Sequence, residues 1–338
     1  VARDKKLIAF PDDSGDCRDY ASEMRCRLIG QDDSIDAIVP YLDIFDSHLS
    51  PAGRPAGVFL LLGPTGTGKT RTVEALAEVL HGSSQKVLRI DCGEFQLEHE
   101  TAKLTGAPPG YVGHRETSPM INQQKLNAMS SELSELSLVL FDEVEKASPS
   151  LLRLLLGVLD KGELRLGDGS AVNFQRCMVF MTSNVGAEEM MRQIRGRVGF
   201  ESAVTKDEAV RQIGRAALKN AFPPEFVNRI DCVLGYRALD AAMLERILDL
   251  ELKGLGAHLE CRLGADAPEL VFSAAARAAL LKEGISAEFG ARELKRVIHQ
   301  RVLHPVALHI RRTRGARTRR LRVAGPRADG ALRLRPAA

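Results

Sequence analysis

At 338 residues the chain is long enough for two domains with separate cores, and its 44% hydrophobic and 27% charged residues are ordinary for a globular protein in water. No apolar run is long enough to span a bilayer and no charged-then-apolar signal segment opens the chain, which points to a cytoplasmic protein and away from a membrane one. Six dispersed cysteines without a C-x-x-C pair read as reduced thiols, and the formal charge of +3 conceals ten arginines between Arg311 and Arg335 opposed only by Asp329.

Val1 to Arg27 is polar, mixed in charge and weakly periodic, an N-terminal extension (1–27) that opens on Val1 rather than Met, as a fragment or alternative-start product would. From 28 to 237, short apolar runs alternate with amphipathic helical segments, the pattern of an α/β domain built on a parallel sheet. Val58–Leu62 reads as a buried strand. It runs into Gly63-Pro64-Thr65-Gly66-Thr67-Gly68-Lys69-Thr70, a G-x-x-x-x-G-K-T loop. Glycines let backbone N–H groups turn inward around phosphate oxygens, Lys69 reaches the β/γ-phosphates, and the Thr70 hydroxyl suits Mg²⁺. Val73, Leu76, Ala77 and Leu80 then fall on one helical face, so strand, loop and helix aim a dipole at an anion. The expected ligand is a nucleoside triphosphate.

Further strands are expected at Val87–Asp91, Leu138–Phe141 and Met178–Thr182. The run Leu138-Val139-Leu140-Phe141-Asp142-Glu143 ends a buried strand in two acids: Asp142 for the metal shell, Glu143 to polarise the attacking water. A water-activating base favours ATP hydrolysis over phosphotransfer, and the lack of an N-K-x-D element disfavours GTP. Ser148-Pro149 supplies an N-cap and a first-turn proline for the helix carrying Leu151, Leu152, Leu155 and Leu159. Asn184, closing Thr182-Ser183-Asn184, is either a turn residue or a group that orients the same water. Arg229, after the rigid Phe222-Pro223-Pro224 turn, either pairs with Asp231 or serves as a finger to a neighbour's nucleotide.

Beyond 238 the character becomes helical: a smaller domain (238–338) with a stripe of Met243, Leu244, Ile247, Leu248 and Leu252. Ser273 caps a helix stopped by Gly284, and a last helix runs from about Ala291 to Leu303 and yields at Pro305. Arg292, at that helix's start, is placed to reach back to the phosphates. Leu321, Val323, Leu332 and Leu334 alternate with arginines about a Gly-Pro turn, as in a terminal β-hairpin with its arginines in water. Nucleic-acid binding by this end is the less favoured reading.

Taken together, Leu28-Ile29-Gly30-Gln31, the Gly63–Thr70 loop, Gly106-Ala107-Pro108-Pro109-Gly110-Tyr111-Val112-Gly113, Asp142-Glu143-Val144-Glu145-Lys146-Ala147, Thr182-Ser183-Asn184, Phe226-Val227-Asn228-Arg229-Ile230-Asp231 and Phe289-Gly290-Ala291-Arg292 resemble the second ATPase module of Clp-type AAA+ unfoldases. The resemblance implies an AAA+ P-loop α/β domain with a helical lid, ATP and Mg²⁺ as cofactors, and a homo-oligomeric, typically hexameric, ring. It makes Lys69 and Thr70 the Walker A pair, Asp142 and Glu143 the Walker B pair, and Asn184 sensor 1. Arg229 becomes the finger acting in trans, Arg292 sensor 2, and Leu28 and Ile29 the adenine-packing segment. Tyr111 and Val112 become the pore loop gripping a polypeptide substrate, with 161–169 in the place of a second pore loop.

Three features depart from the family pattern. The chain shows no first ATPase module, amino-terminal adaptor domain or middle coiled coil. The stretch from His114 to Ser137 is longer than usual and lacks the glycine pair after the pore loop. Val198-Gly199-Phe200 resembles a short peptidase-docking loop. The function expected is an ATP-hydrolysing protein unfoldase or remodelling chaperone. The alternative is an AAA+ ATPase remodelling nucleic acid or one dedicated partner complex through the arginine-rich end.

Overall fold

The computed structural model describes residues 18–106, 119–187, 189, 213–214, 216–284, 290–312, 320–326 and 332–336. In chain order its first part runs α1 (Tyr20–Arg27), α2 (Asp32–Asp46), β1 (Gly57–Leu62), α3 (Lys69–His81), β2 (Leu88–Asp91), β3 (Ser137–Asp142), α4 (Pro149–Lys161), β4 (Glu163–Arg165), β5 (Ala171–Asn173), β6 (Cys177–Ser183) and β7 (Cys232–Gly235). β2, β3, β6, β1 and β7 form, in that order, one sheet whose neighbouring strands all pair in parallel. The four strands expected from the sequence are present within a residue or two of their bounds.

Burial on both faces explains why these strands read as continuous apolar runs. β1 turns Val58, Leu60 and Leu62 toward the core packed by Leu151, Leu155, Val158 and Leu159 of α4. Phe59 and Leu61 face the opposite core with Ile35, Ile38 and Leu42 of α2 and Val73, Leu76 and Leu80 of α3. The result is a three-layer α/β arrangement. α1, at the end of the polar extension, adds Tyr20 and Met24 to the second core. Ser148 accepts from the Leu151 N–H at the start of α4, with Pro149 in the first turn, as the sequence indicates.

β7 was not legible as a strand. Only four residues long, it has a single buried side chain, Leu234, among neighbours that are partly or fully exposed. It nevertheless braces the loop after β1: Tyr236, just past it, donates its N–H to Leu62 O (2.7 Å) and its buried hydroxyl to Thr72 Oγ1 (2.7 Å). Gly63 sits at φ 147°, and a Cβ there would lie 2.7 Å from Tyr236 O, so the loop leaves β1 pressed against β7. The stretch 161–169 contributes β4 and the turn after it to an antiparallel pair with β5.

The second part contains α5 (Ala241–Leu263), β8 (Glu269–Phe272), α6 (Ala274–Gly284), α7 (Ala291–Ile298), α8 (His304–Arg312), β9 (Arg320–Pro326) and β10 (Leu332–Pro336) around its own core. Ser273 caps α6 through the Ala276 N–H (3.2 Å). The helix expected to end at Pro305 does not end there. A π-turn over His299–Leu303, closed by the His304 N–H on His299 O, widens the helix ahead of a proline that cannot donate, and α8 continues. β9 and β10 form the expected antiparallel pair with Leu321, Val323 and Leu332 buried and Arg322, Arg333 and Arg335 exposed. β8 adds a parallel third strand the sequence did not announce. Among the described residues no helix is long and apolar enough to cross a membrane.

The Tyr236 hydroxyl joins β7 to α3, so Tyr236→Phe is expected to lower stability by about 1 kcal/mol, seen as a lower urea midpoint at unchanged slope. An unshifted midpoint would show that this bond carries no stability.

Candidate active site

The strands deliver their functional groups at one edge because parallel strands all end there, with Asp91 beside Asp142 and Leu62 beside Ser183 in register. Directly beyond lies a cleft of about 570 Å³ lined by both parts of the chain. Leu28, Ile29, Thr65 to Thr70, Asp142, Glu143, Thr182, Asn184 and Arg292 all face it. Gly63 and Pro64 do not line it, but their carbonyls accept from Lys69 Nζ at 2.6 and 3.0 Å.

Lys69 is 8% exposed, and burial pulls its pKa down to about 8 despite the nearby negative charges of Glu145, Asp142 and Glu143. Its third bond goes to Asn184 Oδ1 at 2.9 Å. The neighbouring hydroxyl of Thr182 donates to Asp142 Oδ1 and accepts from the Glu143 N–H (3.0 Å), tying both acids to β6. Glu143 adopts a left-handed backbone (φ 55°), uncommon for a side chain of its kind, and its carboxylate pairs with Lys146. The Thr70 hydroxyl and Asp142 carboxylate offer the oxygen donors that Mg²⁺ prefers, and the loop's glycines keep side chains out of the phosphate cradle.

The second part closes the cleft with Leu239, Ile247, Leu250, Gly254 and Arg292. Its α7 docks end-on: the Ala291 N–H donates to Gly66 O at 3.2 Å. Gly290 makes this approach with φ 51°, and a Cβ there would stand 2.6 Å from the same carbonyl. Arg292, in the first turn of α7, is near enough for its charge to oppose protonation of Lys69.

Arg229 is the exception. It does not line the cleft, and it does not pair with Asp231, which is engaged by Arg54 (2.6 Å) and the Val58 N–H (2.9 Å). Its guanidinium instead meets Asp160 (3.5 Å) and the Glu225 carbonyl (2.6 Å). Tyr111, Val112, Val198, Gly199, Phe200 and Phe289 lie outside the described residues. Sequence reasoning assigned no role to Thr182, Glu145 or the apolar wall from α5. The first two stood within quoted motifs, and Ile247 within the helical stripe, yet only the folded chain brings Thr182 and Ile247 to the cleft and Glu145 against Asn184.

Residues 54–233 match the family model described as "AAA domain (Cdc48 subfamily)", and residues 239–323 match the "C-terminal, D2-small domain, of ClpB protein". The chain belongs to the Clp-type AAA+ ATPases. It is 37% identical over 297 residues to an ATP-dependent protease ATP-binding subunit-like protein, AmiB, of Pseudomonas aeruginosa, covering 85% of this chain and 77% of that one. It is 38% identical to the chaperone ClpB of Bdellovibrio bacteriovorus over 85% of this chain. A closed-state cryo-EM reconstruction of Hsp104 with ATPγS and FITC-casein superposes with a TM-score of 0.75 at 28% identity, over 94% of this chain. The chain spans 31% of that ClpB and 51% of that Hsp104 chain, so it corresponds to one module of those longer Clp-type proteins.

Two outcomes test the site. Gly290→Val is expected to unseat α7 and weaken binding of a fluorescent ATP analogue by about tenfold, the equivalent of roughly 1.4 kcal/mol; unchanged affinity would mean that the contact with Gly66 does not shape the cleft. A triphosphate favours protonated Lys69, so ATP affinity is expected to hold to roughly pH 7.5 and weaken as the lysine loses its proton through about pH 8 and above. Titrations that stay flat to roughly pH 9.5 would contradict the lowered pKa of a phosphate-binding Lys69.

Proposed function

We propose that this chain is the ATP-hydrolysing module of a protein unfoldase or remodelling chaperone, working as a ring, typically hexameric, that draws polypeptide through its pore. The observation that carries the reading is the shared cleft: Lys69, Thr70, Asp142, Glu143 and Asn184 from one part meet Arg292 from the other. A nucleotide held between two parts joined through Gly66 and Ala291 has leverage over their relative placement. Family membership supports the same reading.

Within the cleft the backbone N–H groups of Thr65–Thr70 and the Lys69 ammonium bind the phosphates, while Leu28, Ile29, Ile247 and Leu250 supply apolar walls for a base. Thr70 and Asp142 would hold Mg²⁺, which when bound neutralises phosphate charge. Glu143 leaves Lys146, aligns a water in line with the terminal phosphorus and holds the proton that water gives up as ADP departs. Arg292 faces the phosphates from the lid. Arg229, on a surface away from its own cleft, serves a neighbour's. Tyr111 and Val112 grip the polypeptide, an aromatic ring suiting a contact that reads no sequence.

Glu143→Gln is expected to bind ATP but to hydrolyse it at least about 100-fold more slowly. Tyr111→Ala should stop the threading of a folded fluorescent reporter while ATP hydrolysis without substrate largely persists. Full-speed threading by that variant would overturn the pore-loop role, and comparable turnover by wild type and Glu143→Gln would overturn the hydrolytic one.

A further inference from the structure

Glu145 does not line the cleft, yet its carboxylate holds Asn184, which does. It sits in the single 3₁₀ turn Val144–Lys146 that follows Asp142-Glu143, pinned by the buried Val144 and the Lys146 N–H on Glu143 O (2.9 Å). From there its carboxylate crosses to the end of β6. Oε1 accepts both the backbone N–H of Asn184 (3.0 Å) and its side-chain Nδ2–H (3.3 Å). Oε2 is buried without a hydrogen-bond partner among the described residues. On the other side of the amide, Asn184 Oδ1 accepts from Lys69 Nζ (2.9 Å) and lies 3.5 Å from Thr65 Oγ1.

A carboxylate only accepts and an ammonium only donates, so the two neighbours leave the Asn184 amide a single orientation. We infer that Glu145 is the positioning residue that locks Asn184 with its carbonyl oxygen toward the reacting centre. Asn184 therefore meets the attacking water as an acceptor rather than meeting the terminal phosphate as a donor. When Lys69 turns to the phosphates, Oδ1 loses its strongest donor and becomes free to hold a water hydrogen. Keeping an unpartnered carboxylate oxygen in a buried place is costly, and fixing this amide accounts for its retention. The inference rests on the hydrolytic reading of the cleft.

The test is a double-mutant cycle on the full chain with ATP turnover and nucleotide affinity measured separately. Glu145→Ala is expected to lower kcat by about tenfold or more while the Kd for ATP stays within about threefold. Because Glu145 acts through Asn184, the Glu145→Ala/Asn184→Ala protein should be no slower than Asn184→Ala alone. Glu145→Gln, which keeps an acceptor at Oε1, should recover much of the loss, and Glu145→Met, which fills similar space without an acceptor, serves in place of the alanine variant should that fail to fold. Additive losses, or a fall in affinity matching the fall in rate, would overturn the inference. A readout independent of turnover is the Asn184 side-chain amide signal in NMR, identified by its absence in Asn184→Ala. It should be protected from exchange in the wild type and lose protection in Glu145→Ala, and an unchanged signal would overturn the positioning. A wild type that binds ATP without hydrolysing it would sink the hydrolytic reading while leaving the amide measurement to decide the role of Glu145.

Discussion

A single buried ammonium organises this molecule's functional edge. Lys69 has lost most of its hydration, and the chain answers with two carbonyls, an amide oxygen and nearby carboxylates. Each of these comes from a different place: the loop after β1, the end of β6 and the turn after β3. Holding one cation therefore requires the parallel strands to end side by side, which is what their register delivers. A cation satisfied by weak carbonyl dipoles is poised to exchange them for phosphate oxygens, a stronger, charge-assisted set of partners.

The same edge explains the division of labour around the cleft. Groups proposed to bind phosphate sit on the β1–α3 connection, where Gly63 is pressed against Tyr236 beyond β7. Groups proposed to shape the reaction sit at the ends of the neighbouring strands β3 and β6, knitted by the Thr182 hydroxyl. The second part of the chain contributes an apolar wall, Arg292 and a helix end seated on Gly66. That last contact is small and largely backbone, so it suits a joint that must respond to what occupies the cradle next to it.

Much of this was legible because the functional groups are local in sequence. The Gly63–Thr70 loop, the Asp142-Glu143 pair and Asn184 each follow a buried strand, and a run of apolar residues announces such strands clearly. β7 and β8 were missed although β2, just as short and no more buried than β7, was found, so brevity and exposure alone do not hide a strand. The proline at 305 misled because its penalty depends on the hydrogen-bond pattern before it, which a π-turn can change. Glu145 and Thr182 were overlooked for another reason. Their roles lie in contacts between strands some forty residues apart, and spacing along one segment does not report them.

In the proposed ring Arg229 serves a neighbour's nucleotide, because its guanidinium faces Asp160 and not its own cleft. The central claim, a site completed by a neighbour, is most directly tested by mixing two defective proteins. Glu143→Gln keeps the finger but lacks the base, and Arg229→Ala keeps the base but lacks the finger. Each alone should hydrolyse ATP slowly, and the mixture should regain a substantial share of wild-type turnover as mixed assemblies pair an intact base with an intact finger. A mixture no faster than the sum of its two components would contradict the shared site.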